Sequence, residues 1–285
     1  MGRRLPVKEI WAAIICLGHE PHVILNLYFS PLMMKGEDAV GSGNWGLLNL
    51  FIGGFVMEAA AQEKLATDVI KTSAGNLEIT FIGHGTMMFK FGGKVIHIDP
   101  WTQQADYTKL PQAHLILLTH EHMDHLDLKA LGMLRTEKTA VVCPQICTPQ
   151  VTGAIVMHNG DIKTIEGLEV KAVPAYNIMH KRDNGQPFHP QGHGNGYIIT
   201  FGDRNVYVAG DTENIPEMKQ LKNIDIAFLP MNLPYTMTPE MVADAARAFQ
   251  PKILYPYHYG ETDTSRLVAL LKDTKGIEVR IRSMK

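Results

Sequence analysis

Cysteine is scarce in this chain of 285 residues: Cys16, Cys143 and Cys147 are all it has. Three thiols cannot form a disulfide framework or a four-cysteine zinc site. Cys143 and Cys147 are wrongly spaced for a C-x-x-C pair and follow an apolar strand, so they read as buried thiols. An excess of charge is also lacking. Twenty-seven Lys plus Arg stand against twenty-nine Asp plus Glu, a formal net charge of −2, which leaves no electrostatic footprint for nucleic acid. Long hydrophobic runs are absent. The two near the N-terminus, 10–18 and 47–56, fall short of the ~20 residues that span a bilayer, so no transmembrane span is expected. There is no internal repeat, no G-x-S-x-G elbow and no P-loop, so nothing points to a nucleophilic serine or a phosphate cradle.

The N-terminal part reads differently from the rest. Arg3, Arg4 and Lys8 precede the first apolar run, but no small-residue cleavage site follows it. The second run leads into Met57-Glu58-Ala59-Ala60-Ala61-Gln62, which suits cleavage near Ala61. Its upstream flank, Lys35-Gly36-Glu37-Asp38, is poor in positive charge for a signal. Residues 1–74 are therefore expected to be an N-terminal extension that contains a signal peptide. That places the mature protein in the periplasm or outside the cell ahead of the cytoplasm. The alternative is an extension packed on the following domain.

From about residue 77 the pattern becomes regular. Short β-rich runs are predicted at 77–82, 87–91, 94–98, 114–118, 140–142, 168–173, 197–201, 205–208, 224–229, 253–257 and 277–281. Thr238-Pro239-Glu240 opens a helix whose apolar side carries Met241, Val242, Ala245, Ala246 and Phe249 until Pro251 stops it. A second helix is predicted over 265–271. Many strands in two halves, each closed by helices, predict an α+β fold over 75–285. It is a four-layer αββα sandwich of two mixed sheets packed face to face, with helices outside. The segment 231–237, with Met231, Leu233, Tyr235 and Met237, reads as core in preference to a pocket lip.

What the chain has in quantity is histidine, thirteen in all. The densest signal is Thr119-His120-Glu121-His122-Met123-Asp124-His125, directly after an apolar strand, where a scaffold presents functional groups on a loop. Imidazoles with a carboxylate and no neighbouring thiol suit zinc, manganese or iron. Asp99 ends another strand. It is read either as the acceptor for a ligating imidazole, fixing its tautomer, or as the cap of the Pro100-Trp101 turn.

The 119–125 stretch resembles the H-x-H-x-D-H signature of the metallo-β-lactamase superfamily, and further matches follow in the required order. Ala209-Gly210-Asp211-Thr212 is similar to the motif of the bridging Asp, and Tyr257-His258-Tyr259-Gly260 to that of the final His. Ile82-Gly83-His84-Gly85-Thr86 with Ile98-Asp99-Pro100 resembles the branch of ascorbate-phosphate lactonase-like and N-acylphosphatidylethanolamine phospholipase D-like proteins. The resemblance covers roughly 77–281. It implies a first metal on His120 and His122, a second on Asp124, His125 and His258, and Asp211 between them.

One position departs from the family pattern. Asn177 stands where the third ligand of the first metal, a His, is expected. His189 is the preferred replacement, because Phe188 and Pro190 would stiffen the backbone around it; a site short of one ligand is the alternative. His84, Asp99 and Asn177 are accordingly assigned to the second shell or to substrate, and Asp124 and Asp211 to catalysis. The function implied is a metal-dependent hydrolase with two divalent ions, zinc ahead of manganese or iron. They would activate hydroxide against an ester, lactone or phosphodiester in a small-molecule or lipid-like substrate. The competing reading is a metal-binding protein of the same fold with little or no turnover. Homo-oligomerisation stays open.

Overall fold

The computed structural model describes residues 65–284. Cys16 and the cleavage position near Ala61 lie outside them. The first half of the described chain forms β1 (Thr67–Thr72), β2 (Gly75–Gly83), β3 (Thr86–Phe91), β4 (Lys94–Ile98), β5 (Leu115–Leu117), β6 (Ala140–Cys143) and β7 (Ile155–Val156). The second half forms β8 (Ile162–Ile165), β9 (Leu168–Ala175), β10 (Gly194–Phe201), β11 (Arg204–Val208), β12 (Ile226–Pro230), β13 (Ile253–Tyr257) and β14 (Glu278–Val279). Each half is one seven-stranded sheet with its strands in chain order. The wiring is the same in both: three antiparallel pairings, then three parallel ones. Parallel neighbours need crossovers, which is where the helices enter. They are α1 (Leu128–Leu134), α2 (Pro216–Lys219), α3 (Pro239–Phe249) and α4 (Thr264–Leu271).

Burial decides which runs were legible. In β5 and β12 every position is buried, as expected of parallel strands covered on both faces, which therefore read as continuous apolar runs. In β1, Thr-Asp-Val-Ile-Lys-Thr, exposed and half-buried positions alternate, and the run carries too little apolar character to be predicted. β1 nevertheless pairs with β2 from Thr67↔Thr80 to Thr72↔Gly75, so the sheet begins upstream of the boundary expected at 75.

The two sheets meet through aromatic side chains. Phe81 of β2 lies 5.1 Å from Tyr255 of β13, and Phe228 of β12 stacks on Tyr255 at 5.0 Å. Each such buried side chain contributes about 1.5–3 kcal/mol. On the outer face of the first sheet, Ala130, Leu131 and Leu134 of α1 pack with Ile116 and Val141. Asp127 caps α1 by accepting from Lys129 N and Ala130 N. α3 is the predicted helix: Thr238 caps it, Pro239 opens it, and Gln250 ends it in the left-handed region at φ 50°. Its Phe249 meets Tyr207 of β11 edge-on at 6.0 Å. The layers are therefore αββα. No described helix is long and apolar enough to cross a membrane. Cys143 and Cys147 are buried and free.

Asp68 of β1 ties the edge of the first sheet to the end of the second. It accepts from Tyr255 Oη and from Arg282 Nη2 at 2.7 Å, with Arg280 3.5 Å away. Burial would raise its pKa, but the Tyr255 hydroxyl and the Arg282 and Arg280 guanidiniums outweigh that and lower it. A depressed carboxylate stabilises the fold above its unfolded pKa of 3.8 and stops doing so as pH falls through the folded value. Asp68→Asn should cost about 1–2 kcal/mol at neutral pH, discounted for partial solvent access. Urea midpoints of wild type and variant should begin to converge as pH falls below ~3.8 and meet only below the lower folded-state value. An offset independent of pH would mean that the charge contributes nothing.

Candidate metal centre

The chemistry-bearing residues gather at the carboxyl ends of β4, β5, β11 and β13, the end at which parallel strands generally present ligand sites. Asp99 follows β4 and is fully buried. It accepts from Thr119 N at 2.8 Å, Thr119 Oγ1 at 2.6 Å and His125 Nδ1 at 2.8 Å. These bonds hold the loop after β5 and leave His125 Nε2 aimed into the site. Of the two roles read for Asp99, the structure shows the imidazole acceptor. His84, Asp99 and His258 all take φ between 43° and 53°, a costly region for non-glycine residues that is enriched at functional sites.

Three groups of side chains converge. Nitrogens of His120, His122 and His189 lie within 4.8 Å of one another, as do ligand atoms of His84, Asp124, His125 and His258, and those of His120, His125 and Asp211. His120 Nε2 is 3.0 Å from His122 Nδ1, near the edge of roughly 3.3 Å expected between donors ~2.0–2.1 Å from a tetrahedral ion. Asp211 stands between the groups. Its Oδ2 is 3.3 Å from His189 Nε2, 3.5 Å from His258 Nε2 and 4.0 Å from His120 Nε2, and its Oδ1 is 3.5 Å from His125 Nε2. The Gly210 just before it has φ +66°, and a Cβ there would lie 3.0 Å from Asn195 O and from Thr119 Cβ. Only glycine lets the chain turn so tightly beside the His-rich loop.

A cation fits this arrangement. His125 Nε2, His258 Nε2 and Asp211 Oδ1 are buried without a hydrogen-bond partner, a costly state for three polar atoms in one place unless an ion takes them. The donor set is nitrogen and oxygen alone, which suits zinc, manganese or iron. Electrostatics agree. Burial would lower the His125 pKa, but the carboxylates of Asp211, Asp99 and Asp124 raise it to about 10. Burial would raise Asp211, but His258, His125 and His189 hold it well below the usual range. His120 is pushed down by burial and by His125. A cation entering here must displace the His125 proton, so binding weakens as pH falls.

The departure at Asn177 is accounted for by the same geometry. His189 N and Nδ1 both donate to Asn177 Oδ1, at 3.0 and 2.6 Å, while Asn177 Nδ2 donates to Tyr235 O at 2.9 Å. The carboxamide is committed to the loop, and His189 Nε2 faces Asp211. His84 lies beside the second group, its Nε2 donating to Asp124 Oδ2 at 3.1 Å and its ring 3.7 Å from that of His258. The segment 231–237 divides: Met231 and Met237 are buried core, whereas Leu233 and Tyr235 are 43% and 44% exposed. Tyr235 joins Trp101, Met123 and Phe188 around a groove of about 510 Å³ beside the histidines. The expectation of core thus fails for the middle of that segment, because the chain turns outward at 232–235.

Glu213 was not legible as functional. Only 1% exposed, it accepts from Ile178 N, Met179 N and His180 N at 2.6–2.9 Å, and from Asn177 Nδ2 at 3.2 Å. Burial would raise its pKa, but these N–H donors lower it. The carboxylate gathers the start of the loop whose far end carries His189. Its only sequence signal is an acid next to Gly210-Asp211-Thr212. Glu213→Gln puts an N–H against three backbone N–H groups. It should weaken metal affinity at the His120/His122/His189 group 10–100-fold, the usual range for an outer-shell change, and spare the His258 group. Metal titration followed site by site would show this; equal loss at both groups would contradict it.

Comparison with known proteins places this geometry. Residues 78–258 match a β-lactamase superfamily domain. A UPF0173 metal-dependent hydrolase of Pyrobaculum arsenaticum is 30% identical over 199 residues, 64% of this chain and 84% of its own length. A crystal structure of a presumed metal-dependent hydrolase from Parabacteroides distasonis is 48% identical. It aligns with 78% of this chain and the whole of its own, at a TM-score of 0.75. The metallo hydrolase Igni18 of Ignicoccus hospitalis, at 23% identity and a TM-score of 0.61, shares the fold. With its paired sheets and its histidine-lined end, the chain belongs to the β-lactamase superfamily and is a metal-dependent hydrolase of the metallo-β-lactamase fold.

Proposed function

We propose that two divalent cations, zinc ahead of manganese or iron, are held by His120, His122 and His189 and by Asp124, His125 and His258. Asp211 is shared between them, and the reaction is hydrolysis of an ester, lactone or phosphodiester. When bound, such cations act as Lewis acids and lower the pKa of a water toward ~7. The side chains supply orientation. Asp99 fixes His125 through Nδ1, Asn177 fixes His189 likewise, and His84 fixes the Asp124 carboxylate. The rings of His84 and Trp101, 5.0 Å apart, and Phe188 line the groove that receives the substrate and limits water. In the net reaction the water oxygen joins carbon or phosphorus, the scissile bond to oxygen breaks, and the proton leaves on the departing oxygen.

The observation that carries this reading is the convergence of His125 Nε2, His258 Nε2 and Asp211 Oδ1, buried and unpartnered. The groove, largely apolar with aromatic walls, supports a small-molecule or lipid-like substrate over a highly charged polymer. The placement of His189 Nε2 beside His120, His122 and Asp211 supports a complete first group over a site short of a ligand. The test is metal content by elemental analysis together with rates on a panel of ester, lactone and phosphodiester substrates. Two metals per chain with metal-dependent turnover is the expected result. Tight metal without turnover on any of the three classes would return the chain to a binding role.

A further inference from the structure

We infer that Arg182 is the specificity-determining residue of this groove and selects substrates that carry a carboxylate or phosphate on an apolar body. The inference rests on the groove being the substrate site proposed above. Among the residues lining the groove, Arg182 is the one Lys or Arg. Apart from the candidate ligands, His84 and the amide of Asn232, the rest of the wall is aromatic or apolar, through Trp101, Met123, Phe188 and Tyr235.

The position of Arg182 is built into the fold. Residues 181 to 187 form a hairpin tip, with Lys181 bridged to Pro187, Arg182 N donating to Gln186 O and Gly185 N donating to Arg182 O, both at 2.8 Å. Both backbone polar groups of Arg182 are thereby fixed. Its guanidinium carbon lies 5.1 Å from the centre of the Phe188 ring, and Nη2 donates to Phe188 O at 3.4 Å. Phe188 is wedged edge-on against Tyr235 at 5.0 Å. Phe188 is also the residue before His189, so the guanidinium is carried on the segment that presents a candidate ligand.

A solvated turn arginine would be expected to pair with a nearby acid. Asp183 is adjacent in sequence, yet the arginines that form ion pairs among the described residues are Arg204, Arg266, Arg280 and Arg282, and Arg182 is not one of them. Held over the Phe188 ring, the planar fork keeps most of its N–H donors for a ligand. That geometry suits bidentate capture of a carboxylate or phosphate, and the ring limits the rotamer freedom lost on binding. His120, His125, His189, Asp211 and His258 are buried, whereas Arg182 sits at the exposed rim. The anionic group is therefore held toward solvent, the apolar body lies along Trp101 and Phe188, and the scissile bond reaches the histidines.

The test uses the full, metal-loaded chain and compares wild type with Arg182→Ala and Arg182→Lys. Calorimetric titration is run with three probes of similar body, namely phenylacetate, benzylphosphonate and benzyl alcohol. Loss of the fork should weaken the anion it serves by roughly 10- to 100-fold, the range for hydrogen bonds to charged groups. Arg182→Lys should recover part of that, and benzyl alcohol should bind all three proteins alike. The anion that suffers the larger loss names the group recognised. Three results would overturn the inference. They are anion binding by Arg182→Ala within twofold of wild type, an equal loss for benzyl alcohol, or no saturable binding of either anion by wild type up to about 10 mM. Because the readout is binding, the anion site can stand where the turnover panel fails, and fail where it succeeds.

Discussion

Asp211→Ala should lower turnover by at least about 1,000-fold and leave fewer than two metals on the chain. The carboxylate stands 3.3–4.0 Å from ring nitrogens of His120, His125, His189 and His258, so among the described residues it is the side chain placed to serve both groups. Metal-derived stabilisation of a transition state amounts to several kcal/mol, and each 1.36 kcal/mol is a factor of ten. Removal of Asp211 also withdraws the first of the three carboxylates that raise His125, so the substituted site is less able to gather positive charge of any kind. Elemental analysis and rates should be read together on protein whose circular dichroism matches wild type. A variant that keeps both metals and a rate within tenfold would exclude Asp211 as the shared ligand.

Gly196→Ala should be among the most destabilising single methyl additions in the chain. β10 passes so close to the end of β11 that a Cβ at 196 would lie 2.7 Å from Ala209 O, 3.1 Å from Val208 O and 3.2 Å from Ala209 C. These are backbone atoms inside a sheet, so no rotamer change can relieve the contact. Overpacking of a rigid core costs about 1–3 kcal/mol, and here the upper end is expected. Ala209 leads directly to Gly210 and Asp211, so relief of the clash by backbone movement displaces the shared carboxylate. The urea midpoint should fall and metal affinity should weaken in the same variant. Unchanged stability would show that the two strands can separate without cost.

Much of the candidate centre was legible because most of its donors lie beside strands that announce themselves. The all-buried 226–230 and 115–117 segments are apolar without interruption, and the sheet then delivers the next loop to a known end. His120, His122, Asp124 and His125 sit within six residues, so their proximity needed no tertiary argument. The short helix α1 and the strands β1, β7 and β8 were missed for a common reason. They are two to seven residues long and largely amphipathic or exposed, and their stability comes from neighbours and not from their own pattern.

By itself the sequence determined that a sandwich of two sheets would carry a nitrogen-and-oxygen donor set on its strand-end loops. Hydrophobic periodicity encodes burial locally, and the histidine motif is contiguous. Only the tertiary structure showed which of Asn177 and His189, twelve residues apart on one loop, turns toward Asp211. The choice depends on Glu213, 33 to 35 residues from the N–H groups it binds, and on Tyr235, 58 residues from the Asn177 side chain. A loop has no periodicity to read, and its path is set by whichever distant donors and acceptors find each other once the sheets have formed. That closure commits the Asn177 amide to holding its neighbour and leaves His189 Nε2 facing Asp211.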